Sequence, residues 1–321
     1  MSSESFLASA RYGKDLVRVL RVVREGSWHH VVEYNVKVLL EGDIETSYTE
    51  ADNAVVVTTD AMKNITYYLA KTSPHILSPE RFALHLGTHM VSKYAHIHKS
   101  FVTIEKLRWS RIPVGADGQE APHPHAFIRD GADKRVVDVE IDASAGKDKI
   151  IAKVTSGIAD LLVLKSTGSA FSGYIRDEYT TLVEVDDRIL STSVDLTYTF
   201  APFNIAAPTD AKKLEFSVPG QISPGSVWDG EEVAERARKA TLDIFALDES
   251  ASVQATLYNM AQRVIAENAG VQTVTYKLPN KHYIPVDMKY IGVDNTTPSQ
   301  AEVFVPVSAP SGLISATISR K

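Results

Sequence analysis

The stretch LPNKHY (residues 278–283) runs on into IPVDMKY, and its apolar flanks give it the spacing of a strand. Asn280 and His282 lie two apart, so on a strand they face the same side. A half-buried strand that sets an amide beside an imidazole needs partners from elsewhere in the chain. Thr59-Asp60 and Val253-Gln254 each stand at the start of a helix expected from the sequence. Free backbone N–H groups and the positive end of the dipole make such places attractive to anions. One such start is commonplace and usually means only a cap. Two become a site only if something brings them together.

The histidines invite a metal reading. Nine of the ten lie at or before His125, among them His29-His30, His96-x-His98 and His123-x-His125. Each x-spaced pair could offer two ligands, because alternate strand residues share a face. No carboxylate stands at a telling spacing and no helical H-E-x-x-H occurs, so the expectation is hydrogen-bonded sheet and loop histidines and no metal. The chain has no cysteine, which excludes disulfides, thiolate nucleophiles, iron–sulfur clusters and cysteine-ligated zinc. G-x-x-x-x-G-K-[ST], G-x-G-x-x-G after a strand and G-x-S-x-G are all missing, and KSTGSAFSG (165–173) has its glycines and lysine in the wrong order. No nucleotide cofactor is expected.

The elements that must position these residues read as follows. In VVEYNVKVLLEGDIETSY, Val32, Tyr34, Val36, Val38 and Leu40 face one way and Glu33, Asn35, Lys37 and Glu41 the other; with DLVRVLRVV before it, this gives two long antiparallel strands. A helix follows in TTDAMKNITYYLAK with Thr59 as its N-cap. A second helix starts at Ser78-Pro79-Glu80 and carries a stripe of Phe82, Leu86, Met90 and Tyr94. Strands around residues 101–112 and 125–142 are joined by the polar loop PVGADGQEAPHP. The second half repeats this order. Strands at 149–167 and 188–200 lead into a Pro-rich loop over 201–226. A helix with Val233, Ala237, Ala240 and Ile244 on one face comes next, then one from Ser252 as N-cap to Gly270 as stop, with Val253, Leu257, Met260 and Val264 inside. Strands finish the chain. Each half reads strand-strand-helix-helix-strand-strand, and the solution is α+β, an antiparallel sheet covered by helices on one face.

At 321 residues the chain is long enough for two domains, and 44% hydrophobic with 23% charged residues is ordinary for a globular protein. A net charge of −6 without a long basic run argues against a nucleic-acid partner but leaves room for an anionic substrate held by a few local cations. No stretch approaches the roughly 20 apolar residues of a membrane helix, and the first fifteen residues lack a secretory pattern, so no membrane partner is expected.

Several long stretches carry a further signal. They are ARYGKD (10–15), LLEGDIETSYTEADN (39–53), TDAMKN (59–64), FIRD (127–130), VLKSTGSAFSGYIRDEYTTL (163–182), DRILSTSVD (187–195), SASVQATLYNMA (250–261), LPNKHY (278–283) and AEVFVP (301–306). In content and order the chain resembles urate oxidase (uricase) over nearly its whole length. The resemblance implies a tandem T-fold, or tunnelling fold. Its two antiparallel four-stranded sheets, each with helices on one face, would occupy domains 1–145 and 146–321. Four chains would assemble into a barrel-like homotetramer with active sites at subunit interfaces. It also implies oxidation of urate by molecular oxygen to 5-hydroxyisourate and hydrogen peroxide, with no metal or organic cofactor.

The resemblance places roles on matching positions. Arg188 and Gln254 would grip the two ends of the purine, Phe171 would stack on its ring, Leu182 would pack at its edge, and the Val253 N–H would add a hydrogen bond. Thr59 and Asp60 would come from a neighbouring chain. Asn280, with Thr59, would hold oxygen or the attacking water. Lys14, Thr59 and His282 would form the proton relay. Taken singly, Phe171 reads as core, Arg188 as a surface ion pair, Gln254 and Thr59 as caps and Lys14 as solvated; only their joint fall inside matched stretches changes that. Another T-fold enzyme of purines or pterins, or a catalytically silent purine-binding protein, are the alternatives. The ending Ser319-Arg320-Lys321 does not fit the peroxisomal tripeptide common in eukaryotic relatives, so both peroxisome and cytoplasm stay open.

Overall fold

The computed structural model describes residues 5–116, 118–206, 208 and 230–321. The chain is α+β, built on antiparallel strand pairs. Its elements are β1 (Tyr12–Glu25), β2 (Trp28–Gly42), α1 (Glu45–Thr49), α2 (Thr59–Thr72), α3 (Pro79–Lys93), β3 (Ile97–Leu107), β4 (Ser110–Val114), β5 (Ala121–Ile128), β6 (Lys134–Asp142), β7 (Ile150–Lys165), β8 (Leu190–Phe200), β9 (Phe203–Ile205), α4 (Gly230–Leu247), α5 (Val253–Glu267), β10 (Val271–Pro285), β11 (Phe304–Val307) and β12 (Leu313–Ser319). They form two compact units. The first comprises Met1–Gly157, Tyr198–Ala234 and Ala269–Gln272; the second comprises Ile158–Thr197, Glu235–Asn268 and Thr273–Lys321.

In the first unit the strand order is β1-β2-β3-β6-β7. The alternation in β2 sets its register. Val36 lies between Val17 of β1 and Ile104 of β3, and Ile104 faces Val137 of β6. Val38, Val102 and Val139 make the next row, and all of these side chains are buried. The expected in-and-out pattern of β2 is therefore real, with every second residue from Val32 to Leu40 in the core. Helices α2 and α3 cover this face. Helix α3 comes very close to it, since a Cβ on Gly87 would stand 2.7 Å from the Ile141 side chain and 2.8 Å from the Ser100 hydroxyl. That hydroxyl donates instead to the Gly87 carbonyl at 2.9 Å.

Helix α3 departs from the single stripe expected of it. Phe82, Leu86 and Met90 are buried, but so are Glu80, His85, Thr88 and His89. Two of these polar residues, Glu80 and His85, meet buried partners from outside the helix, which a hydrophobic pattern cannot show; His85 Nδ1 lies 2.8 Å from Ser73 Oγ. Glu80 is fully buried; its carboxylate accepts from the Arg135 guanidinium at 2.5 and 2.6 Å and from Ser156 Oγ at 2.8 Å. Arg135 also meets Glu231 at 2.6 Å. Burial works against the Arg135 charge, yet these two carboxylates hold its pKa above the ordinary value. The loop expected over residues 113–124 is shorter than its composition suggests, because Pro113 pairs with Pro122 and Val114 with Ala121 in a β4–β5 hairpin.

In the second unit the order is β7-β8-β10-β11, with β12 also on β10. Val274, Tyr276 and Leu278 of β10 are buried, opposite Ile318, Ala316 and Ile314. Helix α5 starts as expected, with Ser252 Oγ accepting from the Ala255 N–H at 3.1 Å and Val253, Leu257, Met260 and Val264 buried. It ends at Asn268, ahead of the expected stop at Gly270. The Asn268 amide donates to the Val264 carbonyl at 2.8 Å and accepts from Arg236 at 2.9 Å, so a side chain terminates the helix where glycine is not needed. In α4, Ala237 and Ala240 are buried and Ile244 is half-buried. Most of the expected Pro-rich loop lies outside the described residues, but its first part forms β9, where Ile205 pairs with Ile150.

Candidate active site

Arg188 lies just ahead of β8, and its surroundings are set by a bridge between two distant segments. Ser169 and Ser250 pair in parallel, with the Ala170 N–H donating to the Ser250 carbonyl at 2.9 Å and the Ser250 N–H to the Gly168 carbonyl at 3.0 Å. The Arg188 N–H donates to the Ser169 carbonyl at 2.8 Å. This joins Arg188, the Ser169–Phe171 strand segment and the start of α5 in one place. The Arg188 guanidinium carbon sits 4.9 Å from the centroid of Phe171. Its Nε is buried with no partner among the described residues, and burial lowers its pKa. Arg188 is thus not the surface ion pair its sequence context suggests. It is a desolvated cation beside an aromatic face, a setting that suits a flat anion.

Val253 and Gln254 are the first two residues of α5 after the Ser252 cap. The Ser252 hydroxyl and carbonyl take the N–H groups of Ala255 and Thr256, which leaves those of Val253 and Gln254 for a ligand. Val253 is buried and Gln254 exposed. Leu182 is half exposed, in a loop closed by the pairing of Phe171 with Val185 at 2.9 and 3.1 Å. Asn280 and His282 share the face of β10 that buries Tyr276 and Leu278 further back. The Asn280 N–H donates to the Gly312 carbonyl at 2.7 Å and His282 pairs with Val307. The second unit therefore holds Phe171, Leu182, Arg188, Val253 and Gln254 around one network, and Asn280 and His282 on its strand β10.

The other three candidates lie in the first unit. Thr59 is not the N-cap of α2. Thr58 is, with its hydroxyl accepting from the Ala61 N–H at 3.1 Å. Tandem threonines offer the chain two caps, and the choice of Thr58 puts Thr59 in the first turn with its hydroxyl uncommitted to capping. The Asp60 carboxylate accepts from Lys63 at 2.6 Å and Asn64 at 2.9 Å. The Lys63 hydrogen bond and charge lower its pKa, and the charge of Lys14 adds to this. Lys14 is therefore in the electrostatic reach of α2. It is held there because the Val57 N–H donates to the hydroxyl of Tyr12, two residues earlier on β1, at 2.8 Å. On either side of Lys14 the backbone is constrained. A Cβ on Gly13 would lie 1.8 Å from the Val38 carbonyl oxygen, and a bulge follows in which Leu16 has φ 55°.

Some groups of this network carried no role in the sequence. The Asp187 carboxylate accepts from Thr167 Oγ1 at 2.5 Å and from the Gly168 N–H at 2.8 Å, which lowers its pKa and fixes the turn beside Arg188. Thr256 Oγ1 donates to Asp248 at 2.5 Å and lies 2.8 Å from Ser250 Oγ, from which it can accept, locking the first turn of α5 to the bridge. All but Asp248 lie in the long stretches quoted above; the Asp187 contacts join segments far apart in sequence. Among the described residues no group of three or more His, Asp or Glu side chains is placed to hold a metal ion. His29, His123 and His125 pack ring against ring instead, with centroids 5.7 and 4.5 Å apart.

The comparisons with known proteins agree with one another. Residues 10–140 and 154–315 match the family described as Uricase. The uricase of Emericella nidulans is 45% identical over 319 residues, covering 99% of this chain and 98% of that one. The uricase of Aspergillus flavus is also 45% identical, covering 98% of this chain and 97% of its own length. Among solved structures, the crystal structure of uricase from Arthrobacter globiformis superposes with a TM-score of 0.82 at 33% identity, covering 99% of this chain and 96% of that chain. An arginine beside a phenyl face, a helix start tied to both and a match across nearly the whole length lead to one conclusion: the chain belongs to the uricase family.

Proposed function

We propose that this chain is a urate oxidase, converting urate, molecular oxygen and water to 5-hydroxyisourate and hydrogen peroxide. Its two halves, 1–145 and 146–321, each follow the T-fold, and four chains form a barrel-like tetramer. The observation that carries the reading is the buried Nε of Arg188, without a partner among the described residues, beside Phe171 and the start of α5. Urate is a flat anion, and an arginine fork with a neighbouring N–H can hold its polar edge while the phenyl ring holds its face. Gln254 grips the other end, and Leu182 packs at the edge.

The site is completed by Thr59 and Asp60 of a neighbouring copy, whose α2 start adds a second positive helix end. An anion that loses a further proton becomes electron-rich enough to give an electron to oxygen itself, so no cofactor takes part. The chain's work is then to hold the anion, to move protons through Lys14, Thr59 and His282, and to place oxygen and then water at Asn280 and Thr59. The face shared by Asn280 and His282 serves both tasks over one substrate. In metal-chelated buffer, urate absorbance and dissolved oxygen should fall together, one oxygen consumed for each urate. Loss of neither with folded protein refutes the reading, and binding without oxygen uptake leaves a silent purine-binding protein.

A further inference from the structure

With Phe171 as the stacking surface of the purine and Leu182 as its edge contact, Tyr174 touches both. The ring of Tyr174 lies nearly parallel to that of Phe171, with centroids 4.8 Å apart and 17° between the planes. Its hydroxyl donates to the Leu182 carbonyl at 2.8 Å and accepts from Arg176 at 3.3 Å. The loop that carries them is tied to itself. The Gly173 N–H donates to the Glu184 carboxylate at 2.9 Å, and the Asp177 carboxylate accepts from the Tyr179 N–H at 3.0 Å and Thr180 Oγ1 at 2.8 Å. Tyr174 thus covers one face of Phe171, and the Arg188 guanidinium stands 4.9 Å from the same ring's centroid.

We infer that Tyr174 is a positioning residue for urate, a step that rests on the roles given to Phe171 and Leu182. Its ring backs Phe171, and its hydroxyl ties the plane of that ring to the Leu182 edge, so one side chain sets the width of the purine slot. The opposite role, a placeholder that leaves the stacking face when urate arrives, would break the bond to Leu182 and move the edge contact away. The two roles differ in sign.

Tyr174→Leu removes ring and hydroxyl, and Tyr174→Phe removes the hydroxyl alone. Tyr174 is half-buried in a loop, and a thermal melt is to check that each variant folds. Urate affinity is measured by titration without oxygen, and kcat and KM by oxygen uptake. The urate Kd should rise about three- to tenfold in Tyr174→Leu and about two- to fivefold in Tyr174→Phe, with kcat within about twofold of the parent. A general loss of folded protein would lower kcat per molecule without this split. Unchanged affinity in both variants overturns the inference, and tighter binding in Tyr174→Leu replaces it with the placeholder role. An unsubstituted chain that neither binds nor oxidises urate overturns the functional reading itself, and that control separates the two failures.

Discussion

Arg188 places binding and stability in opposition. In the free chain its Nε is buried without a partner among the described residues, and burial lowers its pKa. A buried polar group left unpaired costs about 1–3 kcal/mol. A bound urate anion would relieve that cost with two charge-assisted hydrogen bonds. Arg188→Met keeps the length of the stem and removes the charge. At about 1.5 kcal/mol for each lost bond, affinity should drop by about 3 kcal/mol, or about a hundredfold in Kd. The same change removes the buried Nε–H that has no partner among the described residues, so the ligand-free chain should melt no lower than the parent, with a gain on the order of 1 kcal/mol. Thermal melts with and without urate, beside an oxygen-free titration, read both terms. At a urate concentration a hundred times the parent Kd, the parent should gain about 2.7 kcal/mol and the variant about 0.4 kcal/mol. A variant that binds urate as tightly as the parent refutes the clamp. One that melts far lower without ligand refutes the claim that the Nε is unsatisfied.

Lys14→Met should reduce kcat far more than urate affinity, by steady-state oxygen uptake against oxygen-free titration; equal losses contradict a role in proton transfer. Glu80→Gln leaves Arg135 with a weakened buried partner and should cost about 3–5 kcal/mol in denaturant unfolding, whereas Glu80→Met with Arg135→Met should cost much less; equal costs would show that the charges matter only as volume. His85 and His89 are buried, and burial lowers both pKa values to about 4, helped at His85 by His75 and His89 and at His89 by Lys93. They stay neutral in the folded chain while the unfolded chain takes up protons below pH about 6.5. Stability that is present above that pH should fall as the pH drops toward 4, by up to about 1.4 kcal/mol per pH unit for each histidine. Melts between pH 7.5 and 4.5 check this, and His89→Gln with an unchanged slope would remove His89 from the account.

What was legible in the sequence was whatever depends on one segment at a time. The alternation of β2 reports its buried face because one side of the strand meets the helices and the other does not. Ser252 announces α5 because a hydroxyl ahead of an apolar run needs no distant partner to cap it. The misses share a cause. Gly270 is the obvious stop for α5, but Asn268 ends the helix through Arg236, a residue of another helix. Thr58 and Thr59 are equivalent caps until the fold chooses between them. The stripe of α3 is obscured by Glu80, whose burial is tolerable only because Arg135 and Ser156 reach it from other strands. The site divides in the same way. Its members stand in recognisable stretches, but the burial of Arg188 and the role of Asp187 follow from the Ser169–Ser250 pairing, which no local pattern encodes.

The residues flanking Lys14 are dictated by geometry before chemistry has any say. Position 13 tolerates only hydrogen as a side chain, because the neighbouring strand's carbonyl occupies the space. Position 16 holds a leucine in a backbone shape that L-residues avoid. Redesign of the lysine's environment therefore has no useful freedom along its own strand. Any tuning has to come from side chains that look at the ammonium from across a gap, with the tyrosine three residues before Asp15 and the opening turn of α2 as the first places to try.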